Sequence, residues 1–137
     1  MSIKRAILAI LDVFGECRES DLFNLVTVGH EAGLFDAGVL KWGVYGFYSD
    51  RMYRSLAELL ESGVVEVEGI HFKLRENVET DQSLVKFYMK IKESGADPYD
   101  LAWYMKATKL FPRERVLKHI QEDKAKKLEC VVNSIKK

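Results

Sequence analysis

The stretch Tyr45-Gly46-Phe47-Tyr48-Ser49 decides how this chain is read, because a helix opens directly behind it. Ser49 is suited to an N-cap, since its hydroxyl can accept a hydrogen bond from a free amide of the first turn. From Asp50 to Glu61, Met52, Leu56, Leu59 and Leu60 recur at helical spacing with Tyr53 beside them, so one face is apolar. Gly63 is the expected stop, because glycine reaches the left-handed conformation of a C-terminal cap. Val64-Val65-Glu66-Val67, Glu68-Gly69 and Ile70-His71-Phe72-Lys73-Leu74 then read as strand, tight turn and strand.

Upstream, Ser2 to Phe14 carries a broad helical stripe of Ile3, Ile7, Leu8, Ile10, Leu11 and Phe14, closed by Gly15. Ser20-Asp21 opens a second helix through Leu22, Leu25 and Val26, ending near Gly33. Residues 34–38 form a loop, and Val39 to Tyr45 reads either as a short strand or as an irregular segment. Two helices, this short segment, a third helix and a hairpin make a winged helix-turn-helix over residues 1–79. The polar run Arg75 to Glu79 acts as a hinge.

Three more helices are expected over residues 80–137. Thr80 or Asp81 caps the first, which uses Leu84, Phe87, Tyr88 and Ile91 and stops at Gly95. Asp97-Pro98 starts the second, with proline in the first turn, where its missing amide costs nothing. The third, running from Pro112 to the C-terminus, is the longest. It carries Val116, Leu117, Ile120, Leu128, Val131, Val132 and Ile135, while Lys124 and Lys127 break any heptad seam. A helix lying along its own domain is favoured, with a homodimer through the C-terminal helices as the alternative. The expected class is therefore mostly α with a small β-hairpin, an α+β winged helix followed by a three-helix extension.

The 137 residues are 47% hydrophobic, enough for one sizeable core. No apolar run approaches a membrane span, and Lys4, Arg5 and Asp12 interrupt the N-terminal stripe with no small-residue cleavage site after it. A soluble, cytoplasmic protein with no membrane partner is expected. Cys17 and Cys130 have no metal-ligand spacing and read as unpaired thiols in a reducing compartment. Only five Asn and Gln stand against 31% charged residues, a balance that points to a thermophilic source. The 21 basic and 21 acidic residues are unevenly spread: residues 1–79 hold eight against thirteen, a net of −5, and residues 80–137 the reverse, +5.

The segment Lys41 to Glu68 resembles winged-helix proteins, phage-associated and antitoxin-like, that carry Tyr-Gly-Pro-Tyr-Ser directly before their third helix. Here that motif is Tyr45-Gly46-Phe47-Tyr48-Ser49, with Phe47 standing where the pattern has proline. The resemblance implies a winged-helix fold and a regulatory or binding role.

On that fold the third helix is the usual reader of the DNA major groove. Arg51, Arg54 and Ser55 are its candidate DNA contacts, joined by Lys73 and Arg75 of the wing and by basic residues of the extension. The leading expectation is therefore a transcriptional regulator binding double-stranded DNA. Asp50, Glu58 and Glu61 on the same helix oppose it, since each would face the phosphates. The alternative is a protein-interaction module that keeps the shape without the charge for DNA. Trp42, Phe47 and Tyr48 are its candidate partner surface; the favoured reading of these aromatics closes the core under the third helix, with Trp42 and Phe47 the first of them expected to be exposed. His30, His71 and His119 fit no metal spacing, and no nucleophile elbow, phosphate-cradling loop or carboxylate pair is present. No enzyme activity, cofactor, metal or small-molecule substrate is expected.

Overall fold

A computed structural model describes residues 2–136. Its first helix, α1 (Ile3–Phe14), is capped by Ser2, whose Oγ accepts from the Arg5 amide at 3.3 Å. Ile3, Ile7, Ile10 and Leu11 recur every three or four residues, so a single face carries the burial. A short strand, β1 (Glu16–Arg18), leads into α2 (Glu19–Glu31). The Ser20-Asp21 cap expected for α2 is displaced. Helix geometry already begins at Glu19, and Arg18 occupies the cap position with no side-chain hydrogen bond. The pairing of β1 with a later strand fixes the chain up to Arg18, which leaves the helix to start immediately.

The segment left open between strand and irregular backbone is a hairpin, β2 (Lys41–Gly43) and β3 (Gly46–Tyr48), turning at Val44-Tyr45. Behind it α3 (Asp50–Glu61) starts at Ser49, as its sequence requires, and buries Met52, Leu56 and Leu59. A second hairpin follows, β4 (Val65–Glu68) and β5 (His71–Leu74), whose turn is Gly69-Ile70. The turn falls one residue later than the expected Glu68-Gly69, so Ile70 sits at the tip instead of opening the second strand. β1, β5 and β4 form a three-stranded antiparallel sheet in that order, with Cys17 opposite Phe72 and Val67 opposite Phe72 from the other side.

The remaining helices are α4 (Gln82–Ser94), α5 (Pro98–Leu110), α6 (Arg113–Val116) and α7 (Glu122–Ile135). Asp81 and Asp97 cap α4 and α5 through their carboxylates, at 3.0 Å to the Ser83 and Asp100 amides. α4 packs along α1, α5 packs along α2, and α7 lies over both α4 and α5. The buried apolar side chains form one cluster spanning residues 3 to 135. Tyr88, fully buried on α4, donates to the Leu25 carbonyl at 2.9 Å. Gly29 makes room for it: a Cβ there would stand 2.7 Å from the Tyr88 hydroxyl and 2.6 Å from the Phe35 ring. The polar run expected as a hinge is held at both ends. The Arg75 amide donates to Val64 O at 2.9 Å, and Thr80 Oγ1 donates to Asp12 Oδ2 at 2.6 Å.

The single long helix expected after Pro112 is broken at residues 117–121, between α6 and α7. Val116 and Ala125 are both buried. At about 100° per residue, nine residues of straight helix would put them on opposite faces. The chain turns instead, with the Lys118 and His119 amides closing tight i→i+3 bonds to Arg115 and Val116. Beyond the break, Ala125, Leu128 and Ile135 lie on one face and enter the core. α7 thus spends its apolar stripe within its own chain.

Candidate functional site

The motif residues Tyr45 to Ser49 are held by one buried side chain. Asn24, 1% exposed on α2, accepts from the Phe47 amide through Oδ1 at 3.0 Å and donates through Nδ2 to the Tyr45 carbonyl at 3.1 Å. The amide thus stands in for a neighbouring strand, satisfying backbone groups at the end of a two-stranded hairpin. Gly46 lies against it with φ of 122°, and a Cβ there would come 2.2 Å from Asn24 Oδ1. The glycine of the motif is therefore demanded twice, by backbone conformation and by space. Ser49, fully buried, accepts from the Met52 amide at 3.1 Å and donates to Ala37 O at 2.5 Å. One hydroxyl caps α3 and ties down the loop before β2.

That anchoring projects the β2–β3 tip into solvent: Val44 is 89% exposed and Tyr45 77%. Opposite it stands the β4–β5 tip with Ile70, 63% exposed, and Val67. Between the two tips runs a groove of about 720 Å³, with Phe23, Phe47 and Phe72 lining it and Tyr48 and Tyr53 at its side. The rings hold one another in edge-to-face contacts, Phe23 with Tyr53 at 4.9 Å and Tyr48 with Tyr53 at 6.0 Å between centroids. Arg18 and Glu19 stand at the mouth. Burial, then the Glu19 carboxylate, holds the Tyr53 phenol above its ordinary value. Of the three residues expected to face a partner, Trp42 is half exposed and Tyr48 half-buried, while Phe47 is buried and departs from expectation. Its amide is pinned inward by Asn24, and its ring packs edge-on against Trp42 at 4.6 Å.

The DNA candidates are less free than their sequence suggests. Arg51 is exposed, but its Nη1 lies 3.3 Å from Asp36 Oδ2. The Gly38 amide, with smaller help from Arg51 and His30, keeps the Asp36 carboxyl below its usual range. Lys73 lies within β5 and is ion-paired with Glu68 across the hairpin. Ser55 is half-buried. Arg54 and Arg75 are exposed and enter no ion pair among the described residues. Around them Lys4 pairs with Glu58, and Lys41 reaches Asp50 at 3.3 Å.

Part of the basic surplus of the second half is also engaged, while Lys86, Arg115, Lys118, Lys127 and Lys136 enter no ion pair among the described residues. Lys106 and Lys109 converge on Glu31, whose side chain is 3% exposed, at 3.3 and 2.7 Å. Burial raises the Glu31 carboxyl, but the hydrogen bond and charge of Lys109, with Lys106, outweigh it and leave it below its ordinary value. Lys124 pairs with Asp100 at 2.8 Å and Arg113 with Glu129 at 2.7 Å. Lys90 and Lys92 donate to the carbonyls of Ser134 and Val13.

Among the described residues no group of three His, Cys, Asp and Glu side chains could hold a metal ion. His30 instead accepts from the Ala37 amide at 2.9 Å, closing the loop after α2. The Cys17 thiol is buried and pushed up to about 12, first by burial and then by Asp21 and Glu16, so it stays protonated. No helix among the described residues is long and apolar enough to cross a membrane. No protein-family model matches the chain, nor does any curated protein or solved structure.

Sequence reasoning missed Asn24, whose role depends on a contact 21 to 23 residues away. It also missed the groove, although a signal was present. Tight turns ordinarily carry polar, turn-forming residues, whereas Val44-Tyr45 and Gly69-Ile70 put apolar side chains at both tips.

Proposed function

We propose that this chain is a winged-helix module that acts by holding a segment of a protein partner in the groove between its two hairpins. The succession of α1, β1, α2, α3 and the β4–β5 hairpin, with a β1-β5-β4 sheet, supports the winged-helix assignment. The observation that carries the binding role is the pair of apolar hairpin tips, Val44-Tyr45 and Ile70, extended over a groove lined with aromatic rings. Clustered exposed apolar side chains mark interaction sites, because keeping them in water is costly.

The chemistry of the occupant follows from the surroundings. β4 is an outer strand of its sheet, with Glu66, Val67 and Glu68 exposed. Glu68 is paired with Lys73 and Glu19 stands beside Arg18 at the mouth, but Glu66 enters no ion pair among the described residues, and residues 1–79 carry a net −5. The fitting partner is an apolar segment flanked by Lys or Arg, its chain able to run along the free edge of β4. Charge complementarity of this kind favours basic partners and disfavours phosphate backbones.

A second reading, DNA binding in a regulatory role, rests on Arg54 of α3 and on Arg75, exposed cations without an ion-pair partner among the described residues. Two assays separate the readings. Selection of displayed random peptides on the wild-type chain, with counter-selection on a Tyr45→Ser/Ile70→Asp variant, should enrich apolar cores with basic flanks. Mixed duplex DNA at low salt should migrate unretarded with micromolar protein. Retardation that fades with salt and with Arg54→Ala, and no peptide enrichment, would replace the first reading by the second.

A further inference from the structure

The break between α6 and α7 opens a second cavity, away from the hairpin groove, of about 730 Å³. Its volume falls in the range of small-molecule sites, roughly 300–1,000 Å³. The floor is apolar, formed by buried Ala107 and Val116. Three aromatic side chains wall it: Tyr99 and Trp103 from α5, and Phe111 just beyond, which is 45% exposed. Such rings could have closed on one another, yet none of the three stacks with another across the cavity. Among the described residues, the only close ring contact made by any of them is Tyr99 with Trp42, at 5.6 Å.

The charges at the cavity are unbalanced. Lys124 is neutralised by Asp100 at 2.8 Å. Arg115 has no carboxylate partner among the described residues, and its guanidinium rests over the Phe111 ring, 5.6 Å from the centroid. The lining thus holds one guanidinium without a carboxylate partner, resting on one face of Phe111, beside the Tyr99 and Trp103 rings, with net charge +1 from Arg115, Lys124 and Asp100 in a chain of net charge zero. A guanidinium fork fits a planar oxyanion, and flat rings fit a flat ring. A cationic ligand would meet Arg115, and a flexible aliphatic one would leave the ring faces poorly covered.

We propose that this cavity binds a small planar aromatic molecule bearing one oxyanion, its ring against Trp103 and Phe111 and its anion on Arg115. The site is independent of the hairpin groove and of the partner proposed for it.

Trp42 and Trp103 are the only tryptophans, so Trp42→Phe leaves Trp103 as the sole reporter of this cavity. The test titrates that variant with 8-anilinonaphthalene-1-sulfonate and, in parallel, with its uncharged counterpart N-phenyl-1-naphthylamine, following energy transfer from Trp103. The sulfonate should bind at one saturable site, about tenfold tighter than the neutral dye, the scale of one charge-assisted contact. Arg115→Ala should remove that preference, Arg115→Lys, which keeps the charge but not the fork or the stacking on Phe111, should keep only part of it, and Tyr45→Ser/Ile70→Asp should leave it unchanged. Arg115 is exposed, so its variants should keep the helical circular dichroism of the parent. The proposal is overturned if both dyes bind alike, if Arg115→Ala changes nothing, if no saturable site exists, or if binding disappears with the groove variant.

Discussion

The pairing of Asn24 with Gly46 yields a quantitative prediction about why the 45–49 motif has its glycine. Asn24→Ala removes two hydrogen bonds of unequal weight. The Phe47 amide is buried and would lose its acceptor, which costs about 1–3 kcal/mol. The Tyr45 carbonyl belongs to a residue 77% exposed, so water can replace Nδ2 at a cost of about 0–1 kcal/mol. The single variant should therefore lose about 1–4 kcal/mol, read as a lowered urea midpoint at unchanged slope. Gly46→Ala should cost about 2–4 kcal/mol, combining strain at a φ of 122° with a Cβ placed 2.2 Å from Asn24 Oδ1. In the double variant the offending oxygen is gone and only backbone strain remains. The two losses should then fall short of additivity by at least 1 kcal/mol, the sign expected when one change relieves the clash made by the other. Additive losses would refute the claim that Asn24 is what Gly46 accommodates.

Lys106→Ala/Lys109→Ala strands a buried carboxylate and should cost about 2–4 kcal/mol, after allowing for the partial exposure of the lysines, whereas Glu31→Gln frees two cations to reach water and should cost about 1 kcal/mol. The folded-state pKa of Glu31 lies below its ordinary 4.5, so the clamp contributes at neutral pH and is lost as pH falls through and below that value. The lysine double variant should show the opposite slope there, gaining stability on acidification; urea midpoints between pH 3 and 7 measure both. Gly29→Ala should destabilise by about 1–3 kcal/mol in thermal melts, because Tyr88 and Phe35 fill the space a methyl would need. Tyr45→Ser with Ile70→Asp should leave the melting temperature within about 2 °C of wild type, since both side chains project into solvent.

Much of the architecture was legible because local chemistry and tertiary packing agree. Ser49, Asp81 and Asp97 cap the helices their positions announce, and the stripe of Met52, Leu56 and Leu59 enters the core. Mismatches arise where a distant contact overrides a local pattern. Val116 and Ala125 each look compatible with one long helix, and only their shared burial forces the break. Likewise β1 is three residues long and exists through its pairing with β5, more than fifty residues later. The candidate site was less legible for the same reason. Arg51 and Lys73 read as free cations until Asp36 and Glu68 are seen beside them. Glu31 gathers two lysines nearly eighty residues away, which removes them from any basic face. The apolar tips were visible as residues, but the groove they wall depends on two hairpins being brought face to face.

The central claim is that the groove between the hairpins binds an apolar, basically flanked protein segment. Calorimetric titration of one selected peptide into the wild-type chain and into Tyr45→Ser/Ile70→Asp tests it most directly. Saturable one-to-one binding is predicted for wild type, with a negative heat-capacity change from apolar burial, and none for the variant. Equal binding by the two proteins would contradict the account.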